Sequence, residues 1–419
     1  MITRKNAKKS LLAAMVCLSL SVGTTFAMPQ GGEVQVGDIS GLTNGTVANG
    51  GTIGVNSNGL IDWQSFNIAN GEALNFAFNG GKWEIINHVI GGDPSGLYGA
   101  LNAVGNGHIT LINPNGIIVG GNAVIDVYGL TLSTLNASDD LLKSYLKGEA
   151  DLVLGDADNV SKALVKLEDG ANIKLSSLLE IYGGKIQIAD GVTIADSRRK
   201  EDGMPYPSTV LIAAANKVTP YRDIPQLTLS FGWPISRDVD KSIYIKEIRT
   251  TPVNTLEIGG TRADGGKHRL TPIYLSNDSP KFVRLYGGQV ALKNVSITPT
   301  ASLDIGAFSS KTVDKVDDGY ITKFEANEDN KVQVTNSDLE TSSFDIGIRG
   351  GAVYLTDKTQ VSGNSGLFSP ELDIIAANNI NGHNGENISR TPANSVYVNN
   401  SDIRAHNVKL SGGAVEVAI

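Results

Sequence analysis

A chain of 419 residues with 41% hydrophobic side chains and a mean hydropathy of −0.06 can bury a large core, and its length allows two or three domains. Its formal net charge of −8 lacks the basic footprint of a nucleic-acid binder, and neither a GxxxxGK[ST] loop nor a zinc-type Cys/His spacing occurs, which removes both classes. Glycine is abundant at 48 residues and aromatic residues make up only 6%, a balance of many turns and few bulky side chains that suits a succession of short strands.

The first element reads as a cleaved secretory signal, with an uncleaved anchor as the alternative. Arg4, Lys5, Lys8 and Lys9 precede the apolar run 11-LLAAMVCLSLSVG-23, and Thr25 and Ala27 supply the small residues for cleavage before Met28. An apolar run this short spans a bilayer poorly. Four of the 35 basic side chains and none of the 43 acidic ones lie in residues 1–27, so the mature chain is net −12. Cys17, the one cysteine, leaves with the signal, although oxidising compartments permit disulfides. Two readings stay open: a chain large enough to be stable without crosslinks, or one that must stay unfolded while it crosses a second membrane.

From about Gln35 to Leu132 short apolar alternations are broken by Gly and Asn, as in 73-ALNFAF-78, 83-WEIINHVI-90 and 108-HITLI-112, and are predicted to be strands. Within them, 111-LINPNGIIVGGNAVIDVYGL-130 places Asn113-Pro114-Asn115-Gly116 between β-branched runs. Pro114 presets φ, Asn115 tolerates unusual angles and Gly116 accepts φ > 0, so this is a tight turn between strands. A short helix follows, with Ser138 as N-cap, Asp139 and Asp140 in its first turn, Leu141, Leu142, Tyr145 and Leu146 at helical spacing and Gly148 as stop.

The second half repeats. The segments 179-LEIYGGKIQI-188, 283-VRLYGGQVAL-292, 346-IGIRGGAVYL-355 and 408-VKLSGGAVEV-417 share apolar residues at their first, third, eighth and tenth positions around a Gly-Gly pair. Gly183, Gly287, Gly350 and Gly412 are separated by intervals close to five, three and three units of about 21 residues. Because side chains alternate faces along a strand, keeping all four apolar residues inward requires a bend at the glycines. The predicted fold is therefore all-β, a parallel β-helix whose rungs stack because none can bury its apolar face alone, with small helical and loop excursions. One long excursion is expected near 196–281, around 197-SRRKEDGMPYPS-208 and 233-WPISRDVDK-241. The chain stops inside a repeat, at 412-GGAVEVAI-419, so a fragment or an end covered by another chain is expected.

The series 62-DWQSFNI-68, 91-GGDPS-95, 101-LNA-103 and 112-INPNGI-117 resembles the amino-terminal secretion domain of two-partner-secretion exoproteins, the filamentous haemagglutinin and high-molecular-weight adhesin family. The resemblance implies a right-handed solenoid exported through a partner outer-membrane β-barrel transporter, whose periplasmic domains read the amino-terminal domain as an address. Carried over, Asn113, Pro114, Asn115, Gly116 and Ile117 match the family's NPNG motif, and Asn67 matches the asparagine of its SFNI segment. Residues 28–170 would be the secretion domain and 171–419 its β-helical continuation. Two roles stay open for the turn, a folding device or direct contact with the transporter. No second NPNL motif is present, which places the chain nearer the adhesin-like subgroup, and the long adhesive shaft or toxic domain of many members does not fit this length.

Enzymes on parallel β-helices rely on clustered carboxylates, sometimes with Ca²⁺. Here Asp139/Asp140, Glu168/Asp169 and Asp317/Asp318 are scattered and read as solvated turns or helix ends. His88, His108, His268, His383 and His406 show no metal-binding spacing, and there is no GxSxG elbow. No cofactor and no catalysis are expected. The run 198-RRK-200 reads as a solvated loop, and Trp63 and Trp83 as buried strand positions rather than a carbohydrate platform. The expected function is attachment of a secreted exoprotein to a host-cell or glycan receptor. The alternatives are the secretion module of a contact-dependent toxin and a polysaccharide-active enzyme.

Overall fold

The computed structural model describes residues 28–48, 50–196, 209–220, 245–259, 272–273, 282–299, 302–316, 319–341, 345–363, 371–382 and 387–418. Residues 1–27, expected to be a signal, the 198-RRK-200 run and Trp233 lie outside the described residues. Apart from one α-helix, the regular structure of the described residues is β-strand.

The chain coils. Ala73–Phe78, Glu84–Val89 and Ser95–Leu97 occupy three different faces, then Ala100–Val104, His108–Ile112 and Ile117–Val119 occupy the same three one level up, each paired in parallel with the strand beneath. Repetition produces a long twelve-stranded sheet, a ten-stranded sheet and a third face made of a seven-stranded and a five-stranded sheet. The protein is a parallel β-helix. Register aligns the core into aliphatic columns: Ile85, Ile109, Leu130, Leu179, Val210, Val283, Leu303, Ile346 and Leu372 stand beside one another up the long sheet and are all buried. A slip of one residue would turn a whole strand's apolar set outward, so this column fixes the register. At the lower end Glu33–Val36 and Ile39–Ser40 pair antiparallel with the first coil.

The Gly-Gly pairs are corners, as expected. Leu178–Gly183 in the long sheet is followed after Gly184 by Lys185–Ile188 in the ten-stranded sheet, and the corners at Gly288, Gly351 and Gly413 repeat this path. The 21-residue unit does not hold. Gly183 is level with Ala214 and Ala213 with Tyr286, so each interval between Gly-Gly pairs contains two coils of unequal length. One coil turns its corner at the glycines. The other leaves the long sheet into an antiparallel excursion before it rejoins the ten-stranded sheet. The expected single excursion at 196–281 is likewise interrupted, because Thr209–Ala214 returns to the long sheet and Thr255–Gly259 to the ten-stranded one.

These excursions form a layer of their own. Leu154–Gly155, Lys217–Pro220, Ile245–Arg249, Ser310–Val316, Gly319–Glu325, Asn379–Gly382 and Asn387–Ser389 make a seven-stranded antiparallel sheet. With helix α1 (Asp139–Leu146) it contributes to a second core on the outer face of the long sheet, where Leu60, Ile86, Tyr182, Leu211 and Tyr286 meet Leu142, Leu146, Val218, Ile248, Phe324 and Ile380. The helix is capped as its sequence predicts: the Ser138 hydroxyl accepts from the Leu141 amide at 3.4 Å, and Gly148 follows with φ of +74°. Burial on both faces explains why 209-TVLIAA-214 reads as a continuous apolar run, all six residues buried, instead of an alternating one.

This outer core encloses charge. The Tyr286 hydroxyl donates to Asp304 at 2.6 Å, the Lys311 ammonium donates to the Tyr286 hydroxyl at 2.9 Å, and the Arg349 guanidinium pairs with Asp304. Burial by itself would raise the Asp304 carboxyl, but Arg349, Lys311, the Tyr286 hydroxyl and Arg284 together outweigh it and hold the group below the ordinary carboxylate range. Removing one partner of such a cluster leaves the others uncompensated, so Asp304→Ala should cost about 3–5 kcal/mol in a denaturant titration. A carboxyl depressed in the folded state stabilises the fold above its unfolded value, about 3.9, and loses that contribution as pH falls through the folded one. The melting temperature of the native chain should therefore fall below about pH 4, and that of Asp304→Asn should fall less steeply over the same range.

Candidate functional site

A corner buries backbone polar groups that the ladders above and below cannot pair, and each must find a partner. The lower corners between the long and ten-stranded faces meet this with the motif residues. Asn113 is fully buried, and its amide nitrogen donates to the Asp93 carbonyl at 3.0 Å and the Ser95 hydroxyl at 2.9 Å. Its side-chain oxygen accepts from the Asn115 backbone amide at 2.9 Å, an Asx turn that closes the NPNG loop. Asn115 is exposed, yet its side chain donates to the Gly91 carbonyl one coil below at 2.8 Å. Gly116 has φ of +131° and its carbonyl accepts from the Ser95 amide at 3.0 Å. Pro114 is half-buried, and Ile117 points inward at the start of the next strand, beside Ser95.

Asn67 belongs to the coil beneath. Its side-chain oxygen accepts from the Gly96 amide at 2.7 Å, inside the strand that follows 91-GGDPS-95. A Cβ on Gly91 would stand 1.9 Å from the Gln64 carbonyl oxygen, so the Gly-Gly of that segment lies directly on the coil below. The structure thus brings all six predicted residues to one edge, in three consecutive corners: Gln64–Asn67, 91-GGDPS-95 and Asn113–Gly116. Beside this stack Ile90 is 52% exposed and Tyr98 is 38% exposed, its ring lying across Gly96 and Gly120. Of the two tryptophans read as buried strand positions, Trp63 is buried and donates to Asn87 at 3.1 Å, whereas Trp83 lies outside a strand and is half-buried.

Higher up, the same edge carries a second asparagine series that was not predicted. Asn254, Asn330 and Asn394 are fully buried; each accepts the amide of the residue three before it, and each donates to a glycine carbonyl one coil down, at Gly184, Gly288 and Gly351. Their own carbonyls accept the amides of Gly288, Gly351 and Gly413 above. The paired strings 251-TPVN-254 and 391-TPAN-394 were the available signal. Sequence spacing also missed one convergence: Asp62, His88 and Asp139 offer ligand atoms within 4.8 Å of one another, among the described residues. Burial and then the Asp139 charge raise the Asp62 carboxyl, against the opposing pull of His88.

Residues 26–195 match the family model described as the TPS secretion domain. The amino-terminal part of this chain is a two-partner-secretion domain. Exoproteins with this domain are secreted across the outer membrane with a partner transporter. The chain is 31% identical over 195 residues, 45% of its length, to a heme/hemopexin-binding protein of Haemophilus influenzae strain Rd, and 33% identical over 126 residues, 30% of its length, to a second protein of that name from the same species. It spans only 19% and 13% of those relatives. The crystal structure of the HMW1 secretion domain from H. influenzae superposes over 90% of this chain and 84% of its own, with a TM-score of 0.52 and 17% identity, which shows the shared β-helix.

The corner separates the two asparagines of the motif energetically. Asn113→Ala leaves the buried Ser95 hydroxyl and the Asp93 carbonyl without their amide donor and opens the turn, and should destabilise the chain by about 2–4 kcal/mol. Asn115→Ala removes exposed hydrogen bonds and should cost less than about 1 kcal/mol. Denaturant titration of both variants would check the order. The close approach of Gly351, whose added Cβ would meet the Asn327 carbonyl oxygen at 1.5 Å, makes Gly351→Ala an overpacking change of about 1–3 kcal/mol in the same assay.

Proposed function

We propose that this chain is the exported portion of an exoprotein whose lower corner stack is the surface read by its outer-membrane transporter, and that outside the cell it mediates attachment to cells or surfaces. The observation that carries the first part is the division of labour within the motif. Asn113 is buried and Asn67 half-buried, and both spend their side chains on hydrogen bonds within the stack, while Asn115, Ile90 and Tyr98 remain accessible on it. Ser95–Leu97 is the lowest strand of the ten-stranded sheet, and its lower side is held by the coil beneath: the Ile68 amide donates to the Gly96 carbonyl, the Tyr98 amide to the Ile68 carbonyl and the Gly96 amide to the Asn67 side chain. On this reading residues 1–27 are a cleaved signal, the chain crosses the periplasm unfolded, and its coils stack as they emerge, which disfavours backsliding.

Attachment is supported by the solenoid itself, whose outer surfaces extend over many coils, and by the exoprotein family of the domain. The receptor would be a host-cell protein or glycan, and no catalytic role is assigned. Binding of heme or a heme-carrying protein is a second reading, favoured by the names of the two relatives; heme titration of the secreted chain would test it, with an unchanged absorption spectrum counting against it.

The deciding experiment co-expresses the chain with its candidate transporter and measures it in the medium. Native chain should appear there only with the transporter. Asn115→Ala and Ile90→Glu should lose most of that secretion while retaining native melting temperatures. If secretion falls only in variants that also melt earlier, the stack is a folding device and the contact reading is wrong.

A further inference from the structure

On the outer face of the long sheet, Asp62 in Gly59–Trp63 stands directly beside His88 in Glu84–Val89 on the next coil. Both are buried, at 4% and 5% exposure, and Asp139, the first residue of helix α1, closes over them with its side chain 40% exposed. The Nδ1 atom of His88 lies 3.2 Å from Asp62 Oδ1 and 3.2 Å from Asp139 Oδ1, and Nε2 lies 2.9 Å from Asn136 Oδ1. With Nε2 donating to that amide oxygen, a neutral ring presents its Nδ1 lone pair to two carboxylate oxygens. Three electron-rich atoms then converge on one point, and only a cation can reconcile them.

A proton on Nδ1 does this poorly. It can point at one oxygen but not both, and 3.2 Å exceeds the roughly 2.7–2.9 Å of a charge-assisted N–H···O bond. A metal ion does it well: bonds of about 2.0–2.2 Å along tetrahedral directions hold neighbouring ligand atoms about 3.3–3.5 Å apart. Asn136 would be the outer partner that fixes the ring's orientation, as metal-bound histidines commonly have.

We propose that Asp62, His88 and Asp139 bind one divalent transition ion of the Zn²⁺ class, with water from the exposed Asp139 side as the fourth ligand. The ion clips helix α1 to the first coils. An unfolded chain has no such site, so binding would reward completion of these coils. The helix has a separate anchor, because the Tyr145 hydroxyl donates to Glu84 at 2.5 Å, and it should remain docked without metal. The inference stands apart from the proposed export role.

The test uses the full mature chain, stripped with chelator. One equivalent of Zn²⁺ should bind and raise the melting temperature in a concentration-dependent way, Co²⁺ should give the intense visible bands of a tetrahedral site, and Mg²⁺ at equal concentration should do neither. Asp139→Asn, at a half-exposed position, should melt near the native apo temperature and bind Zn²⁺ at least about a hundredfold more weakly, while the exposed Asp140→Asn should bind as the native chain does. His88→Gln should abolish the Co²⁺ spectrum. No shift with Zn²⁺, an equal shift with Mg²⁺, or native affinity in Asp139→Asn would each overturn the proposal.

Discussion

A solenoid that turns sharply at the same edge on every level must bury peptide groups where the strand ladders give out. Everything else in this protein rests on how that edge is satisfied. Here the answer is asparagine and glycine in alternation. Asn254, Asn330 and Asn394 close their own turns, reach down to a glycine carbonyl and offer their carbonyls to a glycine amide above. Asparagine suits the task because one short side chain carries both a donor and an acceptor. Glycine suits it because the backbones of adjacent levels come closer than a Cβ permits.

The lower corners use the same chemistry with different residues, and this bears on function. Asn113 occupies the structural role that Asn254 and its successors play above, while the turn it closes adds an accessible asparagine beside exposed Ile90 and Tyr98. A motif that folds a corner and one that marks a surface can thus be the same four residues. On the proposed reading the two roles fall on different side chains, so they can be separated experimentally.

The excursions matter for a second reason. A single-layer solenoid has a solvated outer face, but the long sheet here is roofed by helix α1 and the antiparallel strands, and the roof shelters a network around Asp304. Alternate coils carry these strands, which is why the Gly-Gly pairs recur at two-coil intervals and why the simple 21-residue unit was misleading. Gly-Gly spacing reports the coils that turn directly. The coils that detour carry TPVN, NEDN or TPAN in place of the glycines, and a search for one motif passes over them.

The sequence by itself determined the β class, the stacked coils, the corners at Gly-Gly, the tight turn at Asn113–Gly116 and the capped helix, because each follows from local backbone preference or from the inward direction of alternate side chains. Only the tertiary structure decided the alternation of coil types, the antiparallel roof and the meeting of Asp62, His88 and Asp139. Those depend on which strands lie level with one another. Asp62 and His88 become neighbours because one coil happens to take up the residues between them, and Asp139 joins them because helix α1 folds back over the sheet instead of continuing it. Register across coils is set by the aliphatic columns acting together, a collective property that no single stretch of sequence displays.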